Sequence, residues 1–105
     1  MAQFDVYKNP SKQTQKAYPY ILDIQHSLIE SLATRIVVPL GDANLLKSEE
    51  LKGLTPRVEF GGVNLLILMP QISSINAKLL KAPVGTLLHL RDEIIAALDL
   101  AITGI

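Results

Sequence analysis

The chain has no cysteine, which excludes disulfides, thiolate nucleophiles and zinc sites built on thiolates, and agrees with a reducing compartment. An excess of one charge is missing too. Ten basic residues meet ten acidic ones, so no global field draws the protein onto nucleic acid or an anionic membrane, and any such role needs a local patch. No apolar run approaches the roughly eighteen residues that suggest a membrane span. The opening MAQFDVYKN lacks the basic and then apolar stretches of a secretory signal, which makes the cytoplasm the expected location.

What is plentiful is apolar side chain. Hydrophobic residues make up 49% of the 105, with a mean hydropathy of +0.29, which is high for a chain whose size suits one core. We expect a single domain over residues 1–105, with its excess apolar surface meeting another protein.

The stretch QFDVYK alternates, with Phe4 and Val6 on one side and Asp5 and Tyr7 on the other, and predicts a half-buried strand over Gln3–Lys8. Residues 8–17, KNPSKQTQKA, carry three lysines and no carboxylate and read as a long, solvated and mobile hairpin tip. Tyr18–Gln25 is a second strand, with Pro19 tolerated near its start. Thr34–Leu40, TRIVVPL, has the β-branched density of a third. Between them HSLIESLA reads as a helical turn or an irregular connection, and Leu45, Leu46 and Leu51 suggest a short helical turn or a pinned loop.

TPRVEF, Gly61-Gly62 and VNLLILMP form the clearest hairpin, because a Gly-Gly pair supplies the positive φ angles of a tight turn. Val58–Phe60 is expected to pair with Val63–Leu65. The run Leu65–Met69 is continuous rather than alternating, so both faces require cover, one from the core and the other from the C-terminal helix or a second subunit. That run is the basis for expecting a homodimer. A final helix is predicted over about Leu87–Ile102, with Leu87, Leu90, Ile94, Leu98, Ala101 and Ile105 on one stripe and Leu88, Ile95 and Ile102 at its edge. Leu100 falls on the polar face. With no βαβ alternation and no repeats, the pattern predicts a mainly β fold, a small barrel-like antiparallel sheet with one terminal helix.

Motifs that carry chemistry are scarce. His89 and Glu93 stand four residues apart on the helix, but two ligands do not make a metal site. No serine has the context of a nucleophile elbow, no phosphate loop is present, and Gly61-Gly62 belongs to the hairpin. No catalytic residue, metal or cofactor is expected. One feature is left over: Gly104 is suited to the left-handed residue that closes a helix, which would hold Ile105 and its carboxylate at a defined place.

The order and spacing of QFDVY, of LDIQ followed by RIVVPL, of TPRVEF and of a helix ending in GI resemble the CcdB family, the gyrase-poisoning toxins of type II toxin-antitoxin pairs. The resemblance runs over nearly the whole chain. It implies an SH3-like, partly open barrel with a C-terminal α-helix, a homodimer that is not an enzyme, and binding to the A subunit of DNA gyrase that traps the cleaved gyrase-DNA complex. A CcdA-like antitoxin would neutralise it with a disordered tail that folds on the toxin. Nucleic acid would be met only through gyrase or the antitoxin, and no membrane is involved. The family's gyrase contact, usually Trp-Gly-Ile at the end of the chain, falls on Thr103, Gly104 and Ile105, with Thr103 departing from the pattern. Leu28 and Ile29 fall near a partner-binding surface. Two alternatives are a ribonuclease toxin of the MazF or Kid kind, for which Arg35, Arg57 and Arg91 are the available arginines, and an inactive structural relative.

Overall fold

The computed structural model describes residues 2–26 and 33–104. The HSLIESLA connection, Leu28 and Ile29 and the terminal Ile105 therefore lie outside the described residues, apart from His26 and Ala33 at the two ends of the connection. The strands are β1 (Asp5–Lys8), β2 (Tyr20–Asp23), β3 (Thr34–Asp42), β4 (Arg57–Phe60), β5 (Val63–Ile67), β6 (Ser73–Asn76) and β7 (Gly85–Thr86), and one helix, α1 (Arg91–Thr103), follows them. All pairings are antiparallel, in the order β4-β5-β3-β2-β1-β7, while β6 pairs with the first half of β3. The mainly β expectation holds.

The sheet curls into a partly open barrel. Its end strands meet through a side chain: the Phe60 ring of β4 lies where a Cβ on Gly85 of β7 would be, 2.5 Å from Phe60 Cζ. Only glycine admits that approach. Tyr20 packs on the same ring, edge-on at 5.0 Å between centroids. The expected hairpin is present in the expected register, with Val58 opposite Leu65 and Phe60 opposite Val63, and both turn glycines have positive φ.

Inside the barrel, Phe4, Val6, Leu22, Val38, Leu40, Leu65, Ile67 and Met69 form the main core with Leu87, Ile94 and Ala97. Phe4 belongs to it as expected, yet β1 begins at Asp5, because Phe4 takes φ 72°. For a bulky residue that is a strained turn, of order 1–3 kcal/mol. Its amide donates to the Asp23 carbonyl at 2.6 Å, and its own carbonyl accepts from the Leu87 amide at 2.8 Å. The kink thus ties β1 to β2 and to the approach of the helix.

Strand β5 corrects one expectation. Leu65 to Met69 are all buried, and both faces are covered by this chain. Leu65, Ile67 and Met69 face the main core, while Leu66 and Leu68 pack with Ala43, Tyr18 and Leu46. The second cover is the loop after β3, held by the Asp42 amide on the Ala17 carbonyl and the Ala43 amide on the Asn64 carbonyl. The apolar run therefore gives no argument for a second subunit. Of the three leucines expected to pin this region, Leu46 is half-buried and does so, whereas Leu45 and Leu51 are exposed. A short 3-10 helix spans Lys47–Glu49.

The hairpin tip is exposed but internally bonded. Asn9 Nδ2 donates to Thr14 Oγ1 and the Tyr18 carbonyl, and Asn9 Oδ1 accepts from the Ser11 amide.

Candidate partner-recognition site

The C-terminal helix begins with a 3-10 turn at Leu88–Leu90 and becomes α-helical at Arg91. A 3-10 turn advances about 120° per residue rather than 100°. The expected stripe nevertheless holds across that turn: Leu87 is buried and Leu90 packs against the core. Ile94 and Ala97 are the buried residues of α1, with Leu90, Ile95 and Leu98 packed beside them, whereas Leu88, Ala101 and Ile102 are exposed. Leu100, expected on the polar face, is half-buried: it rests against Gly53, where an added Cβ would stand 3.1 Å from Leu100 Cδ2. Gly53 has φ +83°, so the loop can turn beneath the helix there.

Past Leu100 the helix has no core duty. Ala101, Ile102, Thr103 and Gly104 are all exposed, Ile102 to 68%. Thr103 Oγ1 donates to the Asp99 carbonyl at 2.6 Å, which uses the hydroxyl locally. Gly104 takes φ 74° and ψ 18°, and its amide donates to the Leu100 carbonyl at 3.0 Å. This is the left-handed closure expected of that glycine, and it fixes the direction in which the chain leaves the helix. The end of α1 is thus a glycine-capped, solvent-facing tip.

A buried polar network stands apart from that tip. Arg35 and Asp23 are fully buried, with Arg35 Nη2 at 2.7 Å from Asp23 Oδ2 and Arg35 Nε donating to the same oxygen at 2.9 Å. Arg35 Nη2 also donates to the Gln25 carbonyl, the Gln25 amide to Asp23 Oδ1, and the Ile36 amide to Gln25 Oε1. Burial pushes the Asp23 carboxyl up, against the Arg35 and Gln25 hydrogen bonds that pull it down. Burial, with help from Asp5 and Asp23, likewise raises the nearby Tyr7 hydroxyl. The network joins β2 to β3. Charged residues inside two otherwise apolar strands, LDIQ and RIVV, were the available signal for it.

That placement bears on the ribonuclease alternative. Arg35 is sealed in its pair, Arg57 is held by two contacts to Glu50, and Arg91 lies 3.5 Å from Asp92. Arg35 is thereby sealed from solvent, whereas the pairs of Arg57 and Arg91 lie in solvent. His89 is exposed, and among the described residues no group of three or more His, Cys, Asp or Glu is placed to hold a metal. Among the same residues, no helix is long and apolar enough to cross a membrane.

Of the residues expected at a partner surface, Thr103 and Gly104 are together on the exposed tip. Ile105, Leu28 and Ile29 fall outside the described residues. The family model described as CcdB protein matches the chain over residues 3–104.

Proposed function

The chain belongs to the CcdB family of toxins from toxin-antitoxin pairs, and on that premise we propose that it poisons DNA gyrase through the C-terminal end of α1. In this reading Thr103, Gly104 and Ile105 contact the gyrase A subunit, and the toxin traps the cleaved gyrase-DNA complex without catalysing a reaction of its own. It works as a homodimer. A CcdA-like antitoxin neutralises it through a disordered tail that folds on binding, with Leu28 and Ile29 in the partner surface.

The observation that carries the reading is the tip itself. Four successive residues, Ala101 to Gly104, are exposed at the end of a helix whose body is anchored by Ile94 and Ala97. Anchoring upstream and exposure at the tip suit recognition by a pre-organised surface, which lowers the ordering cost of association. Thr103 replaces the family's usual Trp and brings a smaller contact area. It also lacks the aromatic face whose cation-π contact is worth about 0.5–2 kcal/mol, so binding weaker than that of a Trp-ended relative is expected.

Two measurements test this. Expression in a susceptible host is expected to be toxic, and a toxin-resistant gyrase A variant is expected to relieve the toxicity. Deleting Thr103–Ile105 is expected to abolish gyrase binding while shifting the melt little, because the lost Gly104 hydrogen bond is worth about 0.5–1.5 kcal/mol. A truncated protein that melts far lower, and fails to bind only because it unfolds, would make the tip a packing element instead.

A further inference from the structure

The last turn of α1 is poorly held by its own sequence. It carries no basic residue, Asp99 places a carboxylate where the helix dipole is already negative, and Ile102 and Thr103 are β-branched. Gly104 caps the helix, but a cap does not fix where the helix end points relative to the barrel. Among the described residues after Leu98, only Leu100 is withdrawn from solvent, and it rests on Gly53. The turn beneath it is pinned at both ends. Thr55 is buried, its Oγ1 accepting from the Leu51 amide at 2.8 Å and donating to the Leu51 carbonyl at 3.1 Å. The Leu54 and Thr55 amides donate to that same carbonyl, each at 3.0 Å. Outside this turn Arg57 grips Glu50 with two hydrogen bonds, and the Ile67 amide of β5 donates to the Pro56 carbonyl at 2.8 Å.

We propose that the Leu51–Thr55 turn is a brace that orders and aims the α1 tip for its partner, with Gly53 and Leu100 as positioning residues that need not touch the partner themselves. The proposal rests on the gyrase reading for the identity of that partner. Glycine serves the brace twice: its φ of +83° makes the turn, and its missing Cβ leaves room for Leu100. Without the Leu100 contact the weak last turn is free to fray, and ordering Ala101 to Gly104 again is an entropic cost met at the moment of binding. With it, that ordering is completed on folding. The contact also explains why one leucine on the otherwise polar face of α1 is half-buried.

The test uses the full chain, isotope-labelled, with backbone relaxation measured over residues 94–104 and calorimetric titration against purified gyrase A subunit. In the unmodified chain residues 101–104 are expected to match 94–97, with order parameters of about 0.85. Leu100→Ala is expected to lower 101–104 below roughly 0.6 while 94–97 stay unchanged, and to weaken gyrase A binding roughly tenfold. Leu100→Met keeps the reach to Gly53 and is expected to restore both. A general loss of stability would lower the melt without loosening the tip alone in the folded protein. Gly53→Ala leaves every helix side chain in place and is expected to act in the same direction as Leu100→Ala, so the outcome does not depend on one variant folding. A mobile tip in the unmodified chain, an ordered tip in Leu100→Ala, or unchanged affinity in a variant whose tip has become mobile overturns the proposal. No binding of gyrase A by the unmodified chain overturns the gyrase reading instead, and the brace then stands or falls on the relaxation of residues 101–104.

Discussion

The body of α1 and its last turn share one helix and much the same composition, yet they have opposite environments. Ile94 and Ala97 are fully buried against the barrel, whereas Ile102, of the same residue type as Ile94, is two-thirds exposed. The two ion pairs repeat the contrast: Asp23–Arg35 is sealed, and Glu50–Arg57 lies in solvent. Residue type alone therefore decides neither stability nor function. An isoleucine over the barrel stabilises the fold, and an isoleucine past its rim is available to a partner.

The largest effect is expected at the sealed pair. Arg35→Met leaves the Asp23 carboxylate buried without its partner and is expected to destabilise by about 3–5 kcal/mol in denaturant melts. Adding Asp23→Leu is expected to recover part of that loss, and a double variant no better than the single one would refute the account. Ile94→Ala is expected to cost about 2–5 kcal/mol, whereas Ile102→Ala is expected to stay within about 0.5 kcal/mol. Similar losses from the two would erase the distinction between body and tip.

Gly53→Ala combines a positive φ with a Cβ that crowds Leu100, and a loss of about 1–2 kcal/mol is expected. Leu100→Ala in the same chain relieves the crowding but not the backbone strain, so only partial recovery is expected in thermal melts. The smallest effect belongs to Glu50. The Arg57 hydrogen bond lowers the Glu50 carboxyl in the folded state, so its stabilisation is present above the ordinary glutamate range and is lost as pH falls through the lowered value. Glu50→Gln is expected to remove that slight acid-side dependence. An unchanged pH profile would show the exposed pair to be inert.

Much of this contrast was legible in advance. The Gly61-Gly62 hairpin and its register follow from turn geometry, and Gly104 follows from the steric freedom of glycine at a helix end. Both are local rules that need no tertiary knowledge. The helix stripe was legible from Leu87 to Leu98 and failed at Ala101, which is exposed where the helix runs past the core. Leu100 was misplaced for a different reason: the surface that receives it is Gly53, nearly fifty residues earlier. For the candidate site, Thr103 and Gly104 were found through resemblance to a family, and their exposure is a property of the folded barrel.

Chain chemistry by itself determined the alternation of Phe4 and Val6 against Tyr7, the two-faced burial of Leu65–Met69, the Gly61-Gly62 hairpin and the closure of α1, since each depends on steric or solvation preferences acting over a few residues. Tertiary structure decided what covers each face. It placed Ala43, Leu46 and Tyr18 over Leu66 and Leu68, where the expected cover was the C-terminal helix or a second subunit. It sealed Asp23 with Arg35 and set Phe60 against Gly85. These outcomes depend on contacts between residues far apart in the chain, whose free energy appears only once the sheet has curled and brought them together.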